Sequence, residues 1–97
     1  EYDLSGSRIT ANRPISVFGS HTCAYVPYGA QACDHLESQL PPLETWGTNY
    51  NSAPMADPSG ASLNVVRVTG AFDDTSVTVT PAQSGVSTFT LGAGQWR

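Results

Sequence analysis

There is no lysine in the 97 residues of this chain, and there are few charges of either sign. Charged residues make up 12% of the sequence, about half of the ~25% found in an ordinary soluble domain. The positive charges are four arginines, Arg8, Arg13, Arg67 and Arg97, set against eight carboxylates for a net charge of −4. Scattered arginines in an acidic chain make no basic stripe, which excludes nucleic-acid binding by phosphate neutralisation. Long apolar runs are missing too. No stretch of about 18 apolar residues is present to span a membrane as a helix. No segment rich in Leu, Ala, Glu and Lys is present, which excludes a coiled coil or helical bundle. None of Asn12, Asn49, Asn51 or Asn64 is followed by the Asn-x-Ser/Thr pattern, so N-glycosylation is not encoded.

What remains is hydroxyl-rich and turn-rich. Ser and Thr supply 21 residues, Gly nine and Pro seven. Apolar residues reach 39%, too many for a chain disordered by composition. The length allows one domain with a modest core. The first residue is Glu1, which leads us to expect a processed product or a piece of a longer chain.

The chain reads as strands and turns. Ser7–Ala11 and Ile15–Phe18 are short β-prone runs around Asn12-Arg13-Pro14, a turn-forming triplet, so a hairpin is expected there. Leu63–Thr69 reads as a strand ending at Gly70, and Asp73-Asp74-Thr75 as a tight turn. Ser76–Thr80 alternates cleanly, with Val77 and Val79 facing a core, and Pro81 is expected to end it. Ser87–Leu91 repeats the alternation with Phe89 and Leu91 inward. Asp57-Pro58-Ser59-Gly60 is another turn signal. Asp34–Leu40 is ambiguous. Asp34 followed by Glu37 resembles a capping box, and Leu36 and Leu40 fit one helix face as well as one strand face. Pro41-Pro42 stops either element. No other segment can hold a helix, so the expected class is all-β, built from short antiparallel strands.

Two cysteines, Cys23 and Cys33, are ten positions apart. An even count in a small Ser/Thr-rich chain favours one disulfide and an oxidising compartment. Two alternatives stand beside it. One is a pair of free thiols. The other is zinc, because His21-x-Cys23 and Cys33-x-His35 form a symmetric set that can converge on a tetrahedral ion. A single residue between His and Cys is an uncommon ligand spacing. A disulfide here pins the loop carrying Tyr25, Pro27, Tyr28 and Gly29, worth about 3 kcal/mol in the chain-entropy model. Tyr25 and Tyr28 are candidates for a binding contact, since Tyr is favoured at interfaces and loops on a scaffold carry binding. The alternative is that they only cover the disulfide.

Catalytic patterns are weak. Ser20, His21 or His35, and Asp34 make a triad on paper, but no Gly-x-Ser-x-Gly elbow is present. Asp73-Asp74 lacks the rest of a calcium loop and reads as a turn. Trp46 is expected to pack over Leu40-Pro41-Pro42.

One resemblance is long and specific. Asp3-Leu4-Ser5-Gly6-Ser7-Arg8-Ile9 leads into Pro14-Ile15-Ser16-Val17-Phe18. Gly19-Ser20-His21-Thr22-Cys23-Ala24, Ala32-Cys33-Asp34-His35-Leu36, Gln39-Leu40-Pro41-Pro42 and Thr45-Trp46-Gly47-Thr48 follow in order. This string resembles the N-terminal domain of the IgGFc-binding protein family, a mucus-associated extracellular group. Asp73–Gln95 resembles it more loosely. Domains of that family are several times longer and hold successive β-rich units. Leu91-Gly92-Ala93-Gly94-Gln95 resembles the segment that precedes an Asp-Leu-Ser-Gly start.

The resemblance implies that residues 1–97 are one unit of a longer extracellular chain, propeller-blade-like or sandwich-like in arrangement. It also adds weight to the Cys23–Cys33 disulfide. It implies a structural or adhesive module, secreted or at the cell surface, acting by protein–protein contact with neighbouring copies or domains. The second function it implies is recognition of immunoglobulin Fc or mucin-type glycoproteins. Neither implies an enzyme or a cofactor.

Overall fold

The computed structural model describes residues 3–53 and 64–97. The expected turn at 57–60 and the start of the strand expected from Leu63 lie outside them. Among the described residues four strands form two antiparallel hairpins: β1 (Phe18–Ala24) with β2 (Asp34–Gln39), and β3 (Thr75–Gln83) with β4 (Val86–Leu91). A single 3-10 turn, Leu43–Thr45, is the only helical element among the described residues. The all-β expectation holds. The chain divides into two compact units, residues 1–10 with 67–97 and residues 11–66.

In the second unit the ambiguous Asp34 segment is a strand. Phe18 faces Gln39, Gly19 faces Ser38, Ser20 faces Glu37 and His21 faces Leu36, with a bulge before Ala24 and Asp34 meet. Leu36, Ser38 and Leu40 share one face at period two, so the Leu36/Leu40 spacing that fits a helix fits this strand as well. Pro41-Pro42 then ends it. The hairpin expected between Ser7–Ala11 and Ile15–Phe18 does not form. Asn12-Arg13 is only a bend, and the strand starting at Phe18 pairs forward with β2 instead. A local turn signal lost to a longer-range pairing that the Cys23–Cys33 bond closes. Trp46 does reach back to the proline pair, its indole N–H donating to the Pro41 carbonyl at 3.3 Å. The Gly47 N–H donates to the Tyr50 hydroxyl at 2.7 Å and fixes the chain that follows.

The first unit holds the one buried apolar side chain among the described residues, Leu91 at 5% exposure. β3 and β4 pair Thr75 with Leu91, Val77 with Phe89, and Thr78 with Thr88. Val77, Val79, Phe89 and Leu91 are the more buried side chains, and the intervening hydroxyls are exposed. β3 does not stop at Pro81. It runs on to Gln83, with the register shifting after Thr78. In a two-stranded sheet each strand is an edge, where a residue without an N–H is tolerated. The Asp73-Asp74 turn forms as expected, with Asp74 at φ 56°. The Asp73 carboxylate is occupied within the protein, accepting the Ala93 N–H at 2.9 Å. The strand expected before Gly70 does not form over its described residues: only an isolated Thr69–Trp96 bridge is present, flanked by Val68–Arg97 and Gly70–Gln95 hydrogen bonds, because the short C-terminal tail offers no longer partner.

The N-terminal turn closes this unit. Asp3 Oδ1 accepts the Ser5 N–H at 2.9 Å, the local bond that an Asx turn makes. Arg67 then reaches both residues. Its guanidinium lies 3.0 Å from the Asp3 carboxylate and donates to the Ser5 hydroxyl at 2.7 Å. The same group stacks on Trp96, 3.9 Å from the ring centroid. Gly6 (φ +85°) sits against Gly94, so that a Cβ on Gly6 would collide with the Gly94 carbonyl. Only glycine meets both demands.

The Ser5 hydrogen bonds first, and then Arg67, hold the Asp3 carboxyl below its ordinary value of 3.8. A carboxyl depressed in the folded state stabilises it above the unfolded value and loses that contribution as pH falls through the folded one. Acid is therefore expected to release the N-terminal turn only below pH 3.8, and Asp3→Asn to remove that transition. Amide exchange of Ser5 followed by NMR against pH reads this. A midpoint above 3.8 would contradict it.

Candidate functional site: a disulfide-pinned aromatic loop

The loop between β1 and β2 is closed by Cys23 and Cys33, bonded with their Cα atoms 5.0 Å apart. Both cysteines of the chain are in this bond, which decides between the disulfide, free thiols and zinc. The four residues of the zinc alternative are not brought together as ligands. His21 faces Leu36 across the ladder, so His35, the neighbour of Leu36, lies on the opposite face of the hairpin. His21 Nδ1 accepts the Cys23 N–H at 3.1 Å, and His35 Nε2 lies 3.4 Å from the Glu37 carboxylate. Of the triad drawn on paper, the His35 ring is taken up by the Glu37 carboxylate, and the His21 version separates across the sheet. Ser20 and His21 are successive strand residues and point to opposite faces.

The loop itself turns at Pro27-Tyr28-Gly29-Ala30, closed by the Ala30 N–H donating to the Pro27 carbonyl at 3.0 Å. Gly29 has φ +87°, the positive value that the third position of a type II turn requires. Tyr28 occupies the second position, at the corner. That is why its side chain is 97% exposed. Tyr25 is 50% and Val26 55% exposed, while Pro27, Ala30 and Cys33 are half-buried. The phenol of Tyr28 stands in solvent. Such a surface offers an aromatic anchor with a polar tip, suited to a protein pocket. The loop contains no charge between Tyr25 and Ala32.

Sequence reasoning missed the cluster of Asp3, Ser5, Arg67 and Trp96. The Asp-x-Ser turn was visible locally. Nothing in the spacing of 62 residues from Ser5 to Arg67 could assign its partner.

The chain belongs to the IgGFc-binding protein family, whose model it matches over residues 1–97. It is 39% identical to the IgGFc-binding protein of Homo sapiens over 64 residues, which is 66% of this chain. The chain spans about 1% of the length of that relative. No solved structure matches it. No helix among the described residues is long and apolar enough to cross a membrane.

Replacing Cys23 by Ser is expected to cost about 3 kcal/mol through the freed loop, measured as the loss of unfolding free energy in urea. The variant should also make the loop accessible to limited proteolysis near Tyr25–Tyr28. Unchanged stability and cleavage would show that the bond does not hold the loop.

Proposed function

We propose that this chain is an extracellular structural or adhesive module, one β unit of a longer chain. It acts by protein–protein contact within a surface, filament or mucus-type assembly. The observation that carries this is the balance of apolar exposure. Leu91 is the one buried apolar side chain among the described residues, whereas Leu4, Ile9, Ile15, Phe18, Phe72 and others lie open to solvent. Two-stranded hairpins are marginal in water alone. Neighbouring copies or domains complete such sheets by strand pairing. A disulfide needs an oxidising compartment, which supports the extracellular placement.

The isolated chain tests this. Its strands are expected to exchange amide hydrogens quickly at low concentration and to become protected only when a neighbour is present. A stable, cooperative monomer with all four strands protected would sink the reading.

A second reading is favoured by the Tyr28 corner and by the name of the human relative. Here the disulfide-pinned loop recognises immunoglobulin Fc or mucin-type glycoproteins through Tyr25 and Tyr28. Buried Tyr anchors are frequent hot spots, so a Tyr25→Ala/Tyr28→Ala variant should bind Fc about tenfold or more weakly. Surface plasmon resonance against Fc measures this. No binding by the parent chain, or equal binding by the variant, would remove the Fc reading.

A further inference from the structure

The two edges of the β1–β2 sheet are not alike. The Leu40 N–H donates to the Val17 carbonyl at 2.9 Å, which makes Val17 and Leu40 a hydrogen-bonded pair. Bonded and non-bonded pairs alternate along an antiparallel ladder. The Gly19–Ser38 and His21–Leu36 pairs therefore bond inward, and Phe18 and Ser20 aim their N–H and C=O groups away from β2. Among the described residues no strand pairs with that outer edge.

β2 is guarded, because Asp34 and Glu37 put carboxylates on its edge. Charged residues are the usual block to edge-to-edge association. β1 reads Phe-Gly-Ser-His-Thr-Cys-Ala and carries no carboxylate, no arginine and no proline. It is exposed from Phe18 to Cys23. β4 is also uncharged, but its Phe89 is half-buried and its Leu91 buried, so it already serves a core. The hairpin with the least packing of its own has the most to gain from another strand.

We infer that the outer edge of β1 is a pairing edge, and that its occupant is β1 of a second copy of this chain. The inference rests on the reading of the chain as an assembly module and names the edge that does the assembling. The argument for a second copy is charge. A chain with net charge −4 and no lysine repels its copies wherever carboxylates meet, and β1 carries none while leaving its edge outside any core. Antiparallel pairing of β1 with itself about a two-fold axis gives a four-stranded sheet in the order β2-β1-β1-β2. The outward groups of Phe18 and Ser20 are then satisfied. The two-fold axis stands perpendicular to the sheet. It joins the Val17, Leu36 and Leu40 face of one hairpin to the same face of its partner. Such an isologous contact closes at two subunits and leaves the guarded β2 edges outermost.

Sedimentation equilibrium of the oxidised chain over a range of concentrations tests this, with Ser20→Lys and Thr88→Lys as variants. Lysine at position 20 puts a charge on the pairing edge; at position 88 it lies on an exposed face of β4. We expect a monomer–dimer equilibrium in the parent chain. Ser20→Lys should raise its dissociation constant by about tenfold or more, and Thr88→Lys should leave it unchanged. Because a variant could lose its fold, hydrogen exchange of the parent chain supplies a second reading. The amides of Phe18 and Ser20 should gain protection as concentration rises. Association that Ser20→Lys leaves intact, or that Thr88→Lys abolishes, overturns the β1 edge while leaving the assembly reading in place. A monomer at every concentration whose strands exchange freely overturns self-pairing alone, since the partner is then a different chain. A monomer with every strand protected overturns both.

Discussion

The Cys23–Cys33 bond closes the mouth of a hairpin that has no fully buried side chain in either strand. Burial of apolar area normally drives folding at roughly 25 cal/mol per Å². Here that source is thin, so the loop, its turn at Pro27–Ala30 and the exposure of Tyr28 all depend on the covalent tie. The bond restricts the unfolded chain rather than adding contacts to the folded one. It therefore holds a loop in place without filling the space beneath the aromatic side chains.

The first unit solves the same problem with polar ties. Arg67 is the shared element, since one guanidinium contacts the Asp3 carboxylate, the Ser5 hydroxyl and the Trp96 ring. Exposed ion pairs taken singly contribute about 0–1 kcal/mol. The planar fork of arginine meets a carboxylate and a hydroxyl while its flat face lies on an indole, which a lysine cannot do. A chain without lysine can still build this clamp.

The sequence made the strands around Val77, Val79, Phe89 and Leu91 legible, because alternation at period two is a property of the strand itself. The disulfide was legible from the cysteine count and the hydroxyl-rich composition. The exposure of Tyr28 follows from its corner position in the turn. Other features were not legible, each for a physical reason. Asn12-Arg13-Pro14 carries turn chemistry, but a turn makes a hairpin only when the strands on each side prefer each other. Phe18–Ala24 prefers Asp34–Gln39. Pro81 was read as a stop, although an edge strand needs no N–H on its open side. The reach of Arg67 to Ser5 depends on tertiary closure across 62 residues, which no local pattern encodes.

The loop and the β1 edge are also separated in space along one hairpin. From Phe18 to Ala24 a strand rises about 20 Å, at ~3.3 Å per residue. A strand laid along β1 therefore leaves the loop tip beyond Ala24 uncovered. In a two-fold antiparallel pairing the second hairpin runs the other way, so its loop emerges at the far end of the joined sheet. Two such loops cannot grip one small target together, and they gain no avidity on it. They can hold two different targets apart and link them. The proposed dimer built on β1 would thus act as a cross-link rather than a clamp. That geometry suits a component of an extended extracellular network, and it reconciles the adhesive reading with the recognition reading. In that proposal the edge makes the dimer, and each loop supplies one attachment point.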